Sequence, residues 1–207
     1  MNMRNVLLLL VVCVVVVGMT TPAMAATVYT PPYHRGMNFY IPFYGGSTYN
    51  TNTGYNYAWC KVGSGFTQAS ASMVVDGGPL PVIGVMGISI SCRLTAYLYA
   101  ADVSWLVPAY AQVCVNVYLI NNDVFPAQQW ARTIWTYVRH NSWGGVQFTN
   151  TLITGSAIID TGKIIYNWEV AVELYVCAAV LLGSAGVCSQ SGSWTSYASL
   201  KVNSIEC

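Results

Sequence analysis

The chain reads as an all-β protein, an antiparallel two-sheet β-sandwich of jelly-roll or Greek-key type with about eight strands. Three observations predict this. Apolar and polar residues alternate at period two over long stretches, which is the pattern of strands with one face in a core. Clusters of Gly, Asn, Asp and Pro separate those stretches, as turns do. Finally, 55% of the residues are apolar and 13% aromatic while only 7% are charged, against about 25% charged in an ordinary soluble domain. That composition excludes disorder and lacks the Glu/Lys/Leu heptads of a coiled coil. A formal net charge of +1 supplies no basic field for nucleic acid.

The first 25 residues read as a secretory signal peptide. Arg4 gives the positive start, Val6 to Met19 is an unbroken apolar run, and Ala23-Met24-Ala25 has the Ala-x-Ala form of a cleavage site. Fourteen residues are short for a bilayer span of roughly 20. The best later candidate, Leu174 to Leu182, suits a buried strand, so no membrane span is expected after cleavage. Residues 26–207 carry seven basic and seven acidic side chains, so the exported chain is neutral and self-association is plausible. No Asn-x-Ser/Thr acceptor for N-glycosylation occurs.

Residues 26–58 hold seven of the fifteen tyrosines among Asn, Gly, Thr and Pro. Their poor periodicity predicts an extended arm in which Met37 to Ile41 is able to add to a sheet edge, within its own chain or on a neighbour. The sandwich domain follows over 59–207. From Ile88 to Ala100 every even position is apolar. In 111–119 the odd positions are apolar, with Cys114 outward. Lys163 to Val180 reads as one long strand with Ile164, Tyr166, Trp168, Val170, Val172, Leu174 and Val176 inward, and Trp194 to Val202 closes the set. Weaker strands are Ala69–Val75, Thr133–Arg139, Val146–Phe148 and Leu152–Ile159. Turns are expected at 76–79, 121–123, 141–145 and 160–162. Ala127 to Trp130 is the one helical candidate, a single turn at most.

Six cysteines lie beyond the leader: Cys60, Cys92, Cys114, Cys177, Cys188 and Cys207. An even number in an exported chain predicts a disulfide-stapled fold, with 15 pairings open. Cys114 and Cys177 both fall on outward positions and pair more easily with each other than with inward Cys92. No C-x-x-C spacing suggests zinc, thiol redox chemistry or haem.

Thr161-Gly162-Lys163-Ile164-Ile165-Tyr166-Asn167-Trp168-Glu169-Val170 leads into a long strand. A Gly/Ser-rich loop and Ala198-Ser199-Leu200-Lys201-Val202-Asn203-Ser204-Ile205 follow. Together they resemble the last strands of secreted β-sandwich (jelly-roll-like) surface proteins of thermophilic archaea and bacteria, over residues 66–207. The resemblance implies either a lectin-like module or a filament subunit that donates its N-terminal strand. It assigns no residue a role.

Catalytic chemistry finds little support. The only histidines are His34 and His140, and no hydrolase or phosphate-loop motif is present. Glu169 and Glu173 lie about 13 Å apart if both sit on one strand, outside the roughly 5–9.5 Å that glycosidases use, and read as solvating an outer strand face. Asn121-Asn122-Asp123 and Asp76-Gly77 offer oxygens to calcium but are first of all turn sequences. Tyr97, Tyr99, Tyr118, Tyr175 and Tyr197 project from polar strand faces, where tyrosine stacks on sugars or packs against another subunit. The expectation is a non-enzymatic extracellular structural or adhesive surface protein without a cofactor, self-assembling through its arm. A carbohydrate-binding module is the alternative and a secreted hydrolase the third reading. The partners are then further copies of itself or a surface polysaccharide.

Overall fold

The computed structural model describes residues 26–102, 109–140, 146–181, 183–188 and 197–207. These residues form twelve strands and no helix: β1 (Val28–Tyr29), β2 (Arg35–Tyr40), β3 (Gly45–Asn50), β4 (Tyr55–Val62), β5 (Gly65–Asp76), β6 (Val82–Asp102), β7 (Tyr110–Asn121), β8 (Gln128–His140), β9 (Val146–Ile165), β10 (Trp168–Val180), β11 (Gly183–Cys188) and β12 (Ala198–Glu206). All pairings are antiparallel. One sheet runs β2-β5-β10-β7-β8. The other holds the remaining seven strands, with β4 and β6 flanking β11 and β12, β9 on the edge beyond β6 and β3 on the edge beyond β4. The two-sheet sandwich expected from the alternation is therefore the fold.

β11 and β12 share one lane between β4 and β6. Val187 lies opposite Cys60 and Ala198 opposite Ala58, so the second strand resumes where the first stops. The predicted strand start at Trp194 lies outside the described residues, as does the expected turn at 141–145 and the leader at 1–25.

The core is built by the predicted alternation. Ile88, Leu94 and Leu98 of β6 face Val113, Val117 and Leu119 of β7 and Val172 and Leu174 of β10 across the interior, all fully buried. At about 25 cal/mol per Å² of apolar area removed from water, these side chains supply the main driving force. Asn56 of β4 is also fully buried. Its amide donates to the Val172 carbonyl of the opposite sheet, 3.0 Å away, a polar brace through an apolar interior.

Four details depart from the sequence reading. Residues 26–58 supply β1, β2, β3 and the first part of β4, bringing the strands to twelve; β2 adds to the edge of its sheet at β5 within the chain, one of the two pairings expected of Met37–Ile41, while β3 pairs with β4 and β1 with β12. The run 163–180 is broken at Tyr166-Asn167, where the chain passes from β9 in one sheet to β10 in the other. Both carboxylate oxygens of Asp123 accept the backbone N–H groups of Tyr166 and Asn167, at 2.7 and 2.9 Å, and pin that turn. Ile164 and Tyr166, expected inward, are exposed. Third, the expected helical turn at Ala127–Trp130 is extended: Gln128 to Trp130 open β8, because pairing with Leu119 to Asn121 of β7 overrides a weak local preference.

The fourth concerns the cysteines. No disulfide joins any of the six in the structure, so the expected staples are not seen. The pleat explains it. Cys60 faces the core from β4 and Cys188 faces outward from the adjoining lane. Cys114 and Cys177 do share an outer face, yet Cys177 lies opposite Gln112 and Cys114 opposite Tyr175. Such diagonal neighbours stand about 7–8 Å apart, beyond the roughly 4.4–6.8 Å that a disulfide spans between Cα atoms. Burial pushes the Cys92 thiol up to about 12 and the Cys177 thiol up to about 11. Such thiols hold little thiolate and resist oxidation even in an oxidising compartment. We therefore expect native protein to alkylate slowly at mildly alkaline pH and all six positions to label after denaturation. Mass spectrometry that finds pairs of these cysteines already oxidised would contradict the arrangement.

Among the described residues no helix is long and apolar enough to cross a membrane.

Candidate functional site

The outer face of the five-stranded sheet carries the densest polar chemistry of the described residues. It starts from β10, whose inward residues 168, 170, 172, 174 and 176 leave Glu169, Ala171, Glu173, Tyr175 and Cys177 pointing out. β10 is the middle strand. Its outward residues are therefore walled by β5 on one side and β7 on the other. Glu169 is 7% exposed and Glu173 8%, so neither is the solvated surface residue that the sequence suggests.

Glu173 lies opposite Asn116 of β7 and Ser72 of β5. Its Oε2 accepts from the Tyr118 hydroxyl at 2.6 Å and from the Asn116 amide at 2.9 Å. Asn116 is in turn oriented by the Thr133 hydroxyl of β8, which donates to its Oδ1 at 2.8 Å. Burial first, and then the bond to Glu173, raise the Tyr118 phenol well above its usual value. It stays protonated and donates. Over this constellation opens a cleft of about 180 Å³. Met37 and Phe39 of β2 and Tyr118 and Ile120 of β7 give it apolar walls. Ser70, Ser72, Gln129 and Glu173 give it a polar floor. The volume is below the roughly 300–1,000 Å³ of enclosed small-molecule pockets, as suits an open groove across a sheet.

The second buried acid is already matched. Arg35 of β2 forks onto Glu169, Nε to Oε1 at 3.0 Å and Nη2 to Oε2 at 2.5 Å. Burial alone would raise the Glu169 carboxyl; the Arg35 fork, the Asn122 side chain and nearby His34 outweigh it and hold the carboxyl below its ordinary value. A depressed carboxylate contributes stability that is present above its unfolded value and lost as pH falls through the folded one. We thus expect wild type to lose stability as the pH drops below the ordinary Glu value of 4.5, with Glu169→Gln losing less over the same interval. Equal acid sensitivity in urea titrations of the two proteins would refute this.

His34, Asp76 and Glu169 bring ligand atoms within 4.8 Å of one another, with His34 Nδ1 2.9 Å from Asp76 Oδ2. Arg35 already supplies the positive charge there, and both Glu169 oxygens are taken. Of the expected calcium ligands, Asn121 and Asp123 are engaged in the turn: Asn121 Oδ1 accepts from the Asp123 N–H at 2.9 Å, and both Asp123 oxygens hold the β9–β10 turn. Asn122 turns to Glu169. His140 ends β8 opposite Tyr110.

The five outward tyrosines do not share a face. Tyr118 and Tyr175 lie on the five-stranded sheet, the latter donating to Gln68 at 2.8 Å. Tyr97, Tyr99 and Tyr197 belong to the other side of the sandwich. There Tyr97 packs on Phe148 with centroids 4.4 Å apart, and Tyr197 meets Tyr57 edge-on at 6.4 Å. Tyr99 is buried over Gly186.

Sequence reasoning missed Asn116, Gln129 and the walls Met37 and Phe39. Alternation marks Asn116 as outward, and Met37 and Phe39 lie in the stretch expected to add to an edge. What no alternation reveals is that β2, β5, β10 and β7 are neighbours.

No family model and no curated protein matches this chain. Among solved structures, it is similar to TmCBM61 in complex with beta-1,4-galactotriose, at 7% identity and a TM-score of 0.30, covering 82% of this chain and 88% of that one. It is also similar to a loop-swap mutant of Necallimastix patriciarum Xyn11A, at 14% identity and a TM-score of 0.32, covering 81% and 100%. A third likeness is to the enzymatically active domain of Bacteriophage CBA120 tailspike protein 4, at 8% identity and a TM-score of 0.25, covering 86% of this chain and 19% of that one. Likenesses of this size carry nothing about function.

Proposed function

We propose that this protein is a non-enzymatic carbohydrate-binding β-sandwich that takes a saccharide chain on the outer face of its five-stranded sheet. The supporting observation is the cleft itself. Aromatic and aliphatic walls match the C–H faces of a sugar ring, and amide, hydroxyl and carboxylate groups on the floor match its hydroxyls. Binding rather than hydrolysis is favoured because Glu173 has no second carboxylate at the roughly 5–9.5 Å that glycosidases use among the described residues. Glu169 lies about 13 Å along the same strand and is held by Arg35. Export through the leader expected at 1–25 belongs to the same proposal and would place the cleft outside the cell.

The test is retention by polysaccharides in affinity electrophoresis, backed by a glycan array. Wild type is expected to be retarded by at least one polysaccharide. Phe39→Ala should lose roughly ten-fold in affinity, the scale of one aromatic contact, with its melting temperature nearly unchanged because Phe39 is exposed. No retention across a broad panel would remove this reading.

A second reading, self-association at a cell surface, is favoured by one other observation. Ile83 and Ile158 are 71% exposed, and Val85 and Ile164 55% exposed, together on the outer face at one end of the β6–β9 pair. Apolar residues gathered like this mark contact surfaces. The donor strand of the expected arm is not free for it, since β2 and β3 pair within the chain. Light scattering should find oligomers that Ile158→Lys dissociates; a monomer at all concentrations would refute it.

A further inference from the structure

We propose that the cleft selects a sugar carrying a free, protonated amine, with Glu173 as the group that receives it. This rests on the carbohydrate-binding reading and deepens it to a ligand class.

Among the described residues no basic side chain pairs with the Glu173 carboxyl group. Across the sheet it faces Ser72 and Asn116; along β10 on the same face it is flanked by Ala171 and Tyr175. Its two described donors, Tyr118 and Asn116, are neutral and converge on Oε2. Its companion Glu169, four residues away on the same strand, has the Arg35 guanidinium clamped to it. The same strand thus holds two buried carboxylates, one provided with a cation and one, among the described residues, without. A buried carboxylate with no counter-ion is costly to maintain, and this one lines the floor of an open cleft.

Electrostatic complementarity then sets the ligand. A ligand bearing carboxylates or sulfates would meet repulsion from Glu173. A neutral sugar would leave the charge unmatched. A metal ion would find one carboxylate where calcium takes 6–8 oxygens. An ammonium needs fewer partners: one charged acceptor and one or two hydroxyl oxygens. Glu173 supplies the first, and the Ser70 and Ser72 hydroxyls on the same floor supply the second. Met37, Phe39 and Ile120 give the rest of the ring an apolar bed, which disfavours a small free amine and favours an amino sugar within an oligosaccharide.

Isothermal titration of the protein, from residue 26 to 207, with a glucosamine oligomer and with its fully N-acetylated counterpart tests this directly. The free-amine oligomer should bind at least roughly ten-fold tighter, the scale of one charge-assisted hydrogen bond. In Glu173→Gln the preference should vanish, the two oligomers binding with about equal affinity. Phe39→Lys, at an exposed wall position that tolerates substitution, should weaken the free-amine oligomer more than the acetylated one by placing a like charge beside the amine, whether or not Glu173→Gln folds. Equal or tighter binding of the acetylated form to wild type would overturn the inference, as would a preference that persists in Glu173→Gln. Binding of other, amine-free oligosaccharides alone would overturn the inference and leave the carbohydrate reading standing. Failure of every oligosaccharide to bind folded protein would remove both.

Discussion

Trp168→Ala should cost about 3–5 kcal/mol of stability, as removal of a buried aromatic typically does. Trp168 opens β10 directly after the chain changes sheets. It is 7% exposed, packs across Gly77, where a side chain would run into the indole and the Trp168 carbonyl, and donates Nε1–H to the Leu80 carbonyl at 3.0 Å. The indole thus ties the β5–β6 turn, where the chain leaves the five-stranded sheet, to the start of that sheet's middle strand. Against a total of roughly 5–15 kcal/mol for a domain, its loss is a large share. Urea unfolding followed by far-ultraviolet circular dichroism measures it. A loss below about 1 kcal/mol would mean that the indole is not the closure of that end.

Gly186→Ala should be the second large effect, about 1–3 kcal/mol, because it overpacks a filled site. A Cβ there would lie 2.5 Å from the Cys60 carbonyl and 2.8 Å from the Tyr99 ring. The carbonyl belongs to a paired strand and cannot yield. Gly87 provides the control. It sits in β6, on the same sheet, and a Cβ there meets nothing within 4 Å. Gly87→Ala should be neutral or stabilising by up to about 0.5–1 kcal/mol, since glycine in a strand costs conformational entropy. If both substitutions behave alike, Tyr99 does not lie flat on Gly186.

The contrast between these glycines also indicates what was readable in advance. The strands in which large apolar residues alternate with polar ones, such as 88–100 and 111–119, appear in the structure with the predicted faces inward. Apart from Met37–Tyr40, which adds to a sheet edge as expected, residues 35–62 were opaque because small and amphipathic residues do the work there: Gly45 and Gly46 are buried without any hydrophobic signal, and Tyr49 covers Gly36 from another sheet. The Lys163 to Val180 pattern continued through a sheet change because alternation records which face is buried and not which sheet owns it. For the site, Tyr118 and Glu173 were each recognisable as outward residues. Their meeting depends on β7 lying beside β10, about 55 residues apart in sequence, and strand order leaves no trace in periodicity. The burial of both glutamates followed from the same hidden adjacency.

Ligand is proposed to bind the outer face of the five-stranded sheet. Amide chemical-shift mapping by NMR during titration with a glucosamine oligomer tests it most directly. The predicted result is a contiguous set of perturbed amides at 37–39, 70–72, 116–118, 129 and 173, with the opposite face at Tyr57, Tyr97, Phe148 and Ser199 unchanged. Perturbations confined to that opposite face would contradict it.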